Sequence, residues 1–229
     1  MTKILSWNIL HGGGRRLDAI LDTIDTHKPD ILTLQEVRRG KHDAPLMHGL
    51  QAQGFSQIHL PETKDARENT ILVAARSPFT AHAFPGEGGS THILRAEFEG
   101  LTLYPLHFPQ KKAQVPLFHA LLDLPVEAEA LLIGDLNCGI PFEDSETKTF
   151  ANTHLFQQLL VQKWIDTWRS RHPDAREFTW VSAKRKNGFR YDHALATPKL
   201  NKRVTDVRYD HEPRSAGVSD HSILTLTIE

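Results

Sequence analysis

The sequence predicts an α/β fold: two sheets packed face to face, with helices outside them. Short apolar runs outnumber amphipathic stretches. The helical stretches are scattered between those runs. No linker-like segment divides the 229 residues. The whole chain, 1–229, is therefore read as a single domain. With 39% hydrophobic and 24% charged residues it has an ordinary globular balance and length enough for a sizeable core.

Lys3 to Trp7 reads as a strand ending at Asn8, followed by Ile9-Leu10-His11 and a flexible triglycine, Gly12 to Gly14. Leu17, Ile20, Leu21 and Ile24 recur at i, i+3, i+4, i+7, one face of a helix that Lys28-Pro29 ends. Ile31 to Leu34 is a buried strand by composition, with Glu36 just beyond it. Met47 to Gln53 reads as a short helix, and Glu68-Asn69 leads a strand that closes at Ser77-Pro78. Pro85 to Ser90 reads as a loop. Thr91 to Phe98 and Leu101 to Leu106 read as a hairpin about Glu99-Gly100, ending at His107-Phe108-Pro109-Gln110-Lys111-Lys112. Pro116 to Leu122 reads as a helix with proline in its first turn.

Leu131-Leu132-Ile133-Gly134-Asp135-Leu136-Asn137 reads as an apolar strand stopping on an acid, with an amide two residues on. If the strand continues, Asp135 and Asn137 share a face through the period of 2. Gly-Asp-x-Asn also suits a plain turn. A polar loop from Pro141 to Thr149 precedes a helical pattern, Leu155 to Trp164. Phe178 to Val181 and Phe189 to Ala196 read as strands around a basic turn. Arg203 to Tyr209, a loop from Glu212 to Gly217, Val218-Ser219-Asp220-His221 and a last strand from Ser222 complete the chain.

Composition excludes several classes. No apolar run reaches 18 residues, so no membrane helix is expected. No leader is visible at Met1-Thr2-Lys3, and a single cysteine, Cys138, fits a reducing compartment, so a cytoplasmic location is expected. A net charge of −1 argues against a broadly basic, duplex-coating surface. Among 14 histidines no Cys/His set has zinc spacing, and there is no Gly-x-Ser-x-Gly elbow or Gly-Lys-Ser/Thr phosphate loop.

The remaining polar residues have a common address. Asn8, Glu36, His107, Asp135, Asn137, Asp192, Asp220 and His221 all stand where apolar strands stop. Each alone has an ordinary reading as a turn, a solvated acid or a satisfied histidine. Together they fit one cleft built on strand ends. Carboxylates with amides are hard-oxygen ligands suited to Mg²⁺ or Mn²⁺. Such an ion, a histidine and an acid that activates water suit phosphoester cleavage.

Ser6-Trp7-Asn8, Leu34-Gln35-Glu36-Val37-Arg38, Gly134-Asp135-Leu136-Asn137, Arg190-Tyr191-Asp192 and Ser219-Asp220-His221 occur in the order of the endonuclease/exonuclease/phosphatase superfamily. The resemblance runs from residue 4 to the C-terminus. It implies a four-layer α/β sandwich with two packed, largely antiparallel sheets flanked by helices. It implies a metal held by Glu36 with Asn8 and Asp220. It also implies water activation by Asp135, a clamp at Asn137, and a phosphate-contacting His221 backed by Asp192.

The second half resembles exonuclease III and the apurinic/apyrimidinic endonucleases: Asp166-Thr167-Trp168-Arg169, Phe178-Thr179-Trp180 and Gly188-Phe189-Arg190-Tyr191-Asp192 follow their pattern. In those enzymes aromatics matching Trp180 and Phe189 line a sugar pocket, although both also suit a core. The substrate-contacting set read from this comparison is Asn69, Gln110, Lys111, Trp180, Phe189 and Arg190. Two departures stand out. His107 replaces the tyrosine of the repair enzymes and resembles the deoxyribonuclease general acid, and Gln35-Glu36-Val37-Arg38 is closer to the deoxyribonuclease pattern.

The expectation is a monomeric, Mg²⁺-dependent phosphodiesterase (Mn²⁺ in its place) acting on DNA, an endonuclease or exonuclease of DNA repair. The basic groups Arg38-Arg39, Lys111-Lys112 and Lys184-Arg185-Lys186 are expected at the cleft rim. The alternatives are a phosphatase or phosphodiesterase for a small phosphorylated metabolite or lipid headgroup, and a binding module without catalysis.

Overall fold

The structure is a computed structural model that describes residues 1–84, 89–125, 127–148 and 150–229. Most of the loop expected over Pro85 to Ser90, and Thr149 at the end of the polar loop, lie outside the described residues.

Two six-stranded mixed sheets face each other. In the first, β1 (Thr2–Asn8) runs parallel to β2 (Ile31–Val37), and α1 (Leu17–His27) makes the crossover between them. α2 (Asp43–Ala52) packs beside it. β3 (Gln57–His59) and β4 (Thr70–Ala75) extend this sheet on the β2 side. In the second sheet, β5 (Thr80–Ala83), β6 (Leu94–Phe98) and β7 (Leu101–His107) form an antiparallel run, with the short helix α3 (Gly89–His92) between β5 and β6. α4 (Val115–Leu122) then crosses over to β8 (Ala130–Asp135), which is parallel to β7.

After α5 (Thr153–Gln162) come β9 (Ile165–Asp166) and a two-stranded hairpin, β10 (Trp180–Val181) and β11 (Gly188–Phe189). β12 (Asp192–Ala196) joins the second sheet between β8 and β9. The short α6 (Pro198–Asn201) leads to β13 (Val204–Asp210), α7 (Glu212–Ser215) and β14 (Ile223–Ile228), and β14 pairs with β1.

Alternation along the strands makes the layers. On β8, Leu131 and Ile133 face the other sheet, where they meet Ile4, Ile71, Val73 and Leu224. Ala130 and Leu132 face outward onto Phe118, Leu121 and Phe156 of α4 and α5. On the far side, Leu5, Trp7, Leu32 and Leu34 meet Ile20, Ile24, Leu46 and Leu50 of α1 and α2. The order is helix, sheet, sheet, helix.

Three expected elements differ from what forms. Phe189 to Ala196 is two strands rather than one, because Arg190 leaves the ladder for a buried ion pair with Asp144 and Asp166. Glu212 to Ser215 is a helical turn rather than loop, with Pro213 in its first turn. Thr91 and His92 end a helix instead of opening a strand.

Candidate active site

Each sheet carries one parallel pair, and a parallel pair brings two C-terminal ends to the same edge. β1 and β2 bring Asn8 and Glu36 there. β7 and β8 bring His107 and Asp135, which are register partners. Antiparallel β12 starts where β8 ends, so Asp192 stands opposite Asp135. His221 precedes β14, and a bridge to Trp180 and a bond from the Trp7 indole Nε1 to its carbonyl (3.1 Å) tie it to the same edge. The two sheets thus gather all of these strand-end residues.

Local backbone departures aim the side chains. Regular alternation would turn Glu36 toward the helices with Leu32 and Leu34. A register shift between Leu34 and Val37, with Glu36 itself at φ 59°, turns it over instead. Asn137 does not share a face with Asp135 by continuing the strand, as alternation would have it. β8 ends at Asp135, and Asn137 sits at φ 48° in a tight turn that folds it back. Its backbone N–H donates to Asp135 Oδ1 (2.8 Å), and its Nδ2 donates to Asp135 Oδ2 (3.3 Å) and to Phe108 O (2.8 Å). Gly134 has φ 137°, and a Cβ there would lie 2.1 Å from the Leu106 carbonyl oxygen, so the strands leave no room for another residue.

Asn8 Nδ2 donates both to Glu36 Oε1 (3.2 Å) and to Asp135 Oδ2 (3.1 Å), while its Oδ1 accepts from the Leu10 amide (3.0 Å). Asn8 therefore bridges the two carboxylates with its nitrogen, rather than turning an oxygen toward a cation as expected. His221 Nδ1 donates to Asp192 Oδ2 (2.8 Å), which leaves Nε2 facing Asp135 Oδ2 at 3.7 Å. His107 Nε2 stands 3.6 Å from Glu36 Oε1, and its buried Nδ1 has no partner among the described residues.

These surroundings set the proton affinities. Burial raises the Asp135 carboxyl, Asp192 adds to the effect, and His221 and the Asn137 and Asn8 bonds only partly offset it; the result is about 7. Burial pulls His221 down, but Asp192 and Asp135 outweigh it and hold the imidazolium up, at about 10. Burial would raise Glu36, yet the His107 imidazole, the Asn8 amide and the His11 backbone N–H hold it below the usual carboxylate range. His107 is lowered by burial to about 4 despite Glu36. The His107 ring is therefore neutral at pH 7, and His221 is the cation.

Asp220 Oδ2 accepts the Trp180 indole N–H (3.0 Å), whereas its buried Oδ1 has no partner among the described residues. An unpaired buried carboxylate oxygen is what a hard cation completes, so Asp220 fits as a donor to a divalent ion. Asp135, Asp192 and His221 also bring ligand atoms within 4.8 Å of one another. There the hydrogen bond of His221 to Asp192 already satisfies the histidine.

Beside Asn137 opens a cavity of about 180 Å³, lined by Gln110, Lys111, Gln114, Phe150, Phe189 and Tyr191 among others. Phe189 and Tyr191 stack at 5.2 Å, and Trp180 leans on both. Sequence reasoning missed Tyr191 and Phe150. Tyr191 was legible as the residue two after Phe189, on the same side of Arg190. Phe150 comes from a distant loop and carries no local signal. Arg190 is not a substrate contact. It is 1% exposed and its guanidinium is saturated by Asp144 and Asp166. Asn69 is held at the rim by Arg38 Nε (2.7 Å). Arg39 folds back onto the Leu60 and Pro61 carbonyls and Glu62, so it does not face the cleft as a free cation. Lys111, Lys112, Lys184, Arg185 and Lys186 are exposed.

The profile of the endonuclease/exonuclease/phosphatase family matches residues 5–221, a span that includes every strand-end residue described above. The chain belongs to this family. It is a hydrolase of phosphoester bonds. An exodeoxyribonuclease III from Haemophilus influenzae is 25% identical over 90% of this chain and 91% of its own. Solved structures share the fold. An AP endonuclease from Archaeoglobus fulgidus superposes with a TM-score of 0.85 at 23% identity over 100% of both chains. A 3′ phosphatase from Neisseria, bound to a product DNA hairpin, has a TM-score of 0.85 at 24% identity over 100% of both chains. No helix among the described residues is long and apolar enough to cross a membrane.

Proposed function

We propose that this protein is a divalent-metal-dependent DNA phosphodiesterase, a repair-type endonuclease or exonuclease working as a monomeric single domain in the cytoplasm, with Mg²⁺ as its ion and Mn²⁺ competent in its place. The observation that carries the reading is the chain Asp192–His221–Asp135, held 2.8 and 3.7 Å apart beside Asn8 and Glu36. Glu36 and Asp220 hold the ion, which supplies charge neutralisation at the scissile phosphate.

Asp135, fixed by the Asn137 N–H and by Asn8, takes the proton from the attacking water. A carboxylate whose proton affinity is tuned near neutrality is matched to that task. The water oxygen bonds to phosphorus as the opposite P–O bond breaks. His221 Nε2–H, kept charged by Asp192, stabilises the negative charge that builds on the phosphoryl oxygens. His107, neutral and buried beside Glu36, lines the leaving-group side and donates a hydrogen bond there.

DNA is favoured over a small ester by two features. The cavity beside Asn137 presents stacked aromatic faces of the kind that nucleotides pack against. Exposed Lys111 lines it, with Lys112 next in the chain, and Lys186 lines a separate hollow with Asp220, placed to neutralise neighbouring phosphates. The full-length similarity to an exodeoxyribonuclease III supports the same reading.

The test is a panel of double-stranded, single-stranded and abasic DNA, RNA and small phosphate esters, each with Mg²⁺ and with Mn²⁺. Cleavage of a DNA form, lost with chelator and with Asp135→Ala, is expected. Intact DNA together with phosphate release from small esters overturns the assignment in favour of a small-molecule phosphatase.

A further inference from the structure

One buried hydroxyl ties the two halves of the site together. Thr179 is fully buried just ahead of β10. Its Oγ1 accepts the N–H of Tyr191 (3.0 Å) and the N–H of Asp192 (3.2 Å). Its own N–H donates to the Phe189 carbonyl (2.8 Å), and its carbonyl accepts the Ser222 N–H (2.9 Å). Trp180, the next residue, bridges His221. Thr179 is thus fastened to Asp192 by its side chain and to the segment of His221 by its main chain.

The sheet explains the need for such a residue. β12 pairs with β8 along its length, but on its other side β9 reaches only Leu195 and Ala196. Among the described residues, no strand lies there beside Tyr191 and Asp192. A buried N–H left unpaired costs free energy, and the threonine hydroxyl stands in for the missing strand. It has two lone pairs, and both are used. The Asp192 carbonyl is held separately, by the Tyr209 hydroxyl (2.8 Å). Between these two ties the Asp192 backbone is fixed, and its carboxylate meets His221 Nδ1 at 2.8 Å. That bond joins a strand of the second sheet to the segment entering the first, so pairing within either sheet does not set its length. Thr179 spans the same gap.

We propose that Thr179 is a positioning residue for phosphoester cleavage: its hydroxyl holds Asp192 where the carboxylate orients His221. The inference rests on the Asp192–His221–Asp135 reading above. Without the hydroxyl, the two N–H groups turn to other acceptors and carry the Asp192 carboxylate off the imidazole. Small misplacements of a reacting or orienting group slow the chemistry even where substrate still binds. The main-chain bonds of Thr179 do not need its side chain, so Thr179→Val keeps the frame around β10 and β14.

The test combines kinetics of the full chain at saturating Mg²⁺ with NMR of protein carrying ¹⁵N-labelled histidine. The His221 Nδ1–H signal is assigned by its loss in His221→Gln. In Thr179→Val, kcat on DNA is expected to fall ~10-fold or more with KM within ~2-fold, and the signal to move upfield or vanish. Thr179→Ala, which leaves room for a water on the two N–H groups, is expected to behave alike. Thr179→Ser keeps the acceptor and is expected to restore the signal and a kcat within ~2-fold of wild type. In an Asp192→Asn background, Thr179→Val is expected to cost less than ~2-fold more, because its effect passes through that carboxylate. Losses that multiply in the double variant overturn the proposal. So does wild-type kcat or an unmoved signal in Thr179→Val or Thr179→Ala, or a Thr179→Ser variant as slow as Thr179→Val. Asp192→Asn with wild-type kcat overturns the mechanism above and this proposal with it. A wild type that cleaves only small esters overturns the DNA reading alone, and the same cycle is then read on that ester.

Discussion

Asp192 and His221 are joined by a 2.8 Å hydrogen bond to Nδ1, and that bond decides that Nε2 is the nitrogen facing Asp135. A buried imidazole left to itself is neutral. The carboxylate behind this one keeps it charged and fixes its orientation. The pair connects β12 to the loop before β14, one residue from each sheet's edge, so the proton chemistry of the site depends on how the two sheets pack.

The pH–rate profile follows from that pair. Asp135 works deprotonated, and since its carboxyl is raised to about 7, activity rises as pH climbs through about 7. His221 works protonated, and since it is raised to about 10, activity falls only as pH passes about 10. In Asp192→Asn the raising charge is gone while burial stays, so the alkaline limb moves to lower pH and kcat drops ~10²-fold. An alkaline limb that stays in place in this variant would remove Asp192 from the mechanism.

His107→Ala is expected to slow kcat by ~10²-fold while leaving the alkaline limb where it is. The ring is already neutral across that range, its imidazole lowered by burial to about 4. Steady-state rates measured from pH 6 to beyond the limb at about 10 check this. A limb that vanishes with His107 would make it the proton donor after all.

Asn8→Ala removes the nitrogen between two carboxylates. The expected outcome is a loss of ~10-fold or more in kcat, with the acid limb moved to higher pH, because the Asn8 bond that holds the Asp135 carboxyl down is gone. Rates at saturating Mg²⁺ separate this from weaker ion binding: a defect fully rescued by metal would assign Asn8 to the ion alone.

Arg190→Met removes the buried cation shared by Asp144 and Asp166, leaving Asp144 with Arg169 and Asp166 with backbone N–H groups. The expected cost is ~3–5 kcal/mol by urea denaturation, with KM of the folded fraction unchanged. A raised KM with unchanged stability would return Arg190 to the substrate.

Much of this site was legible along the chain. Asn8, Glu36, Asp135, Asp192 and His221 are polar residues set where apolar runs stop, and a polar side chain at that place is costly unless something uses it. Their motifs also carried the family, and the helical faces of Leu17 to Ile24 and Leu155 to Trp164 carried the outer layers. Arg190 was misread because sequence shows a charge beside aromatics and cannot show that Asp144, from a loop far upstream, closes over it.

The sequence by itself determined the periodicities, and hence the strands, the helices, the two-sheet fold class and the identity of the residues at the strand ends. Only the tertiary structure decided what those residues do to one another. The bulge that turns Glu36 over, the αL turn that brings Asn137 back onto Asp135, and the neutral state of His107 beside a charged His221 arise from strand pairing and from contacts between residues distant in sequence. Proton affinities and ligand directions depend on burial and on neighbours a few ångströms away, which local sequence does not encode.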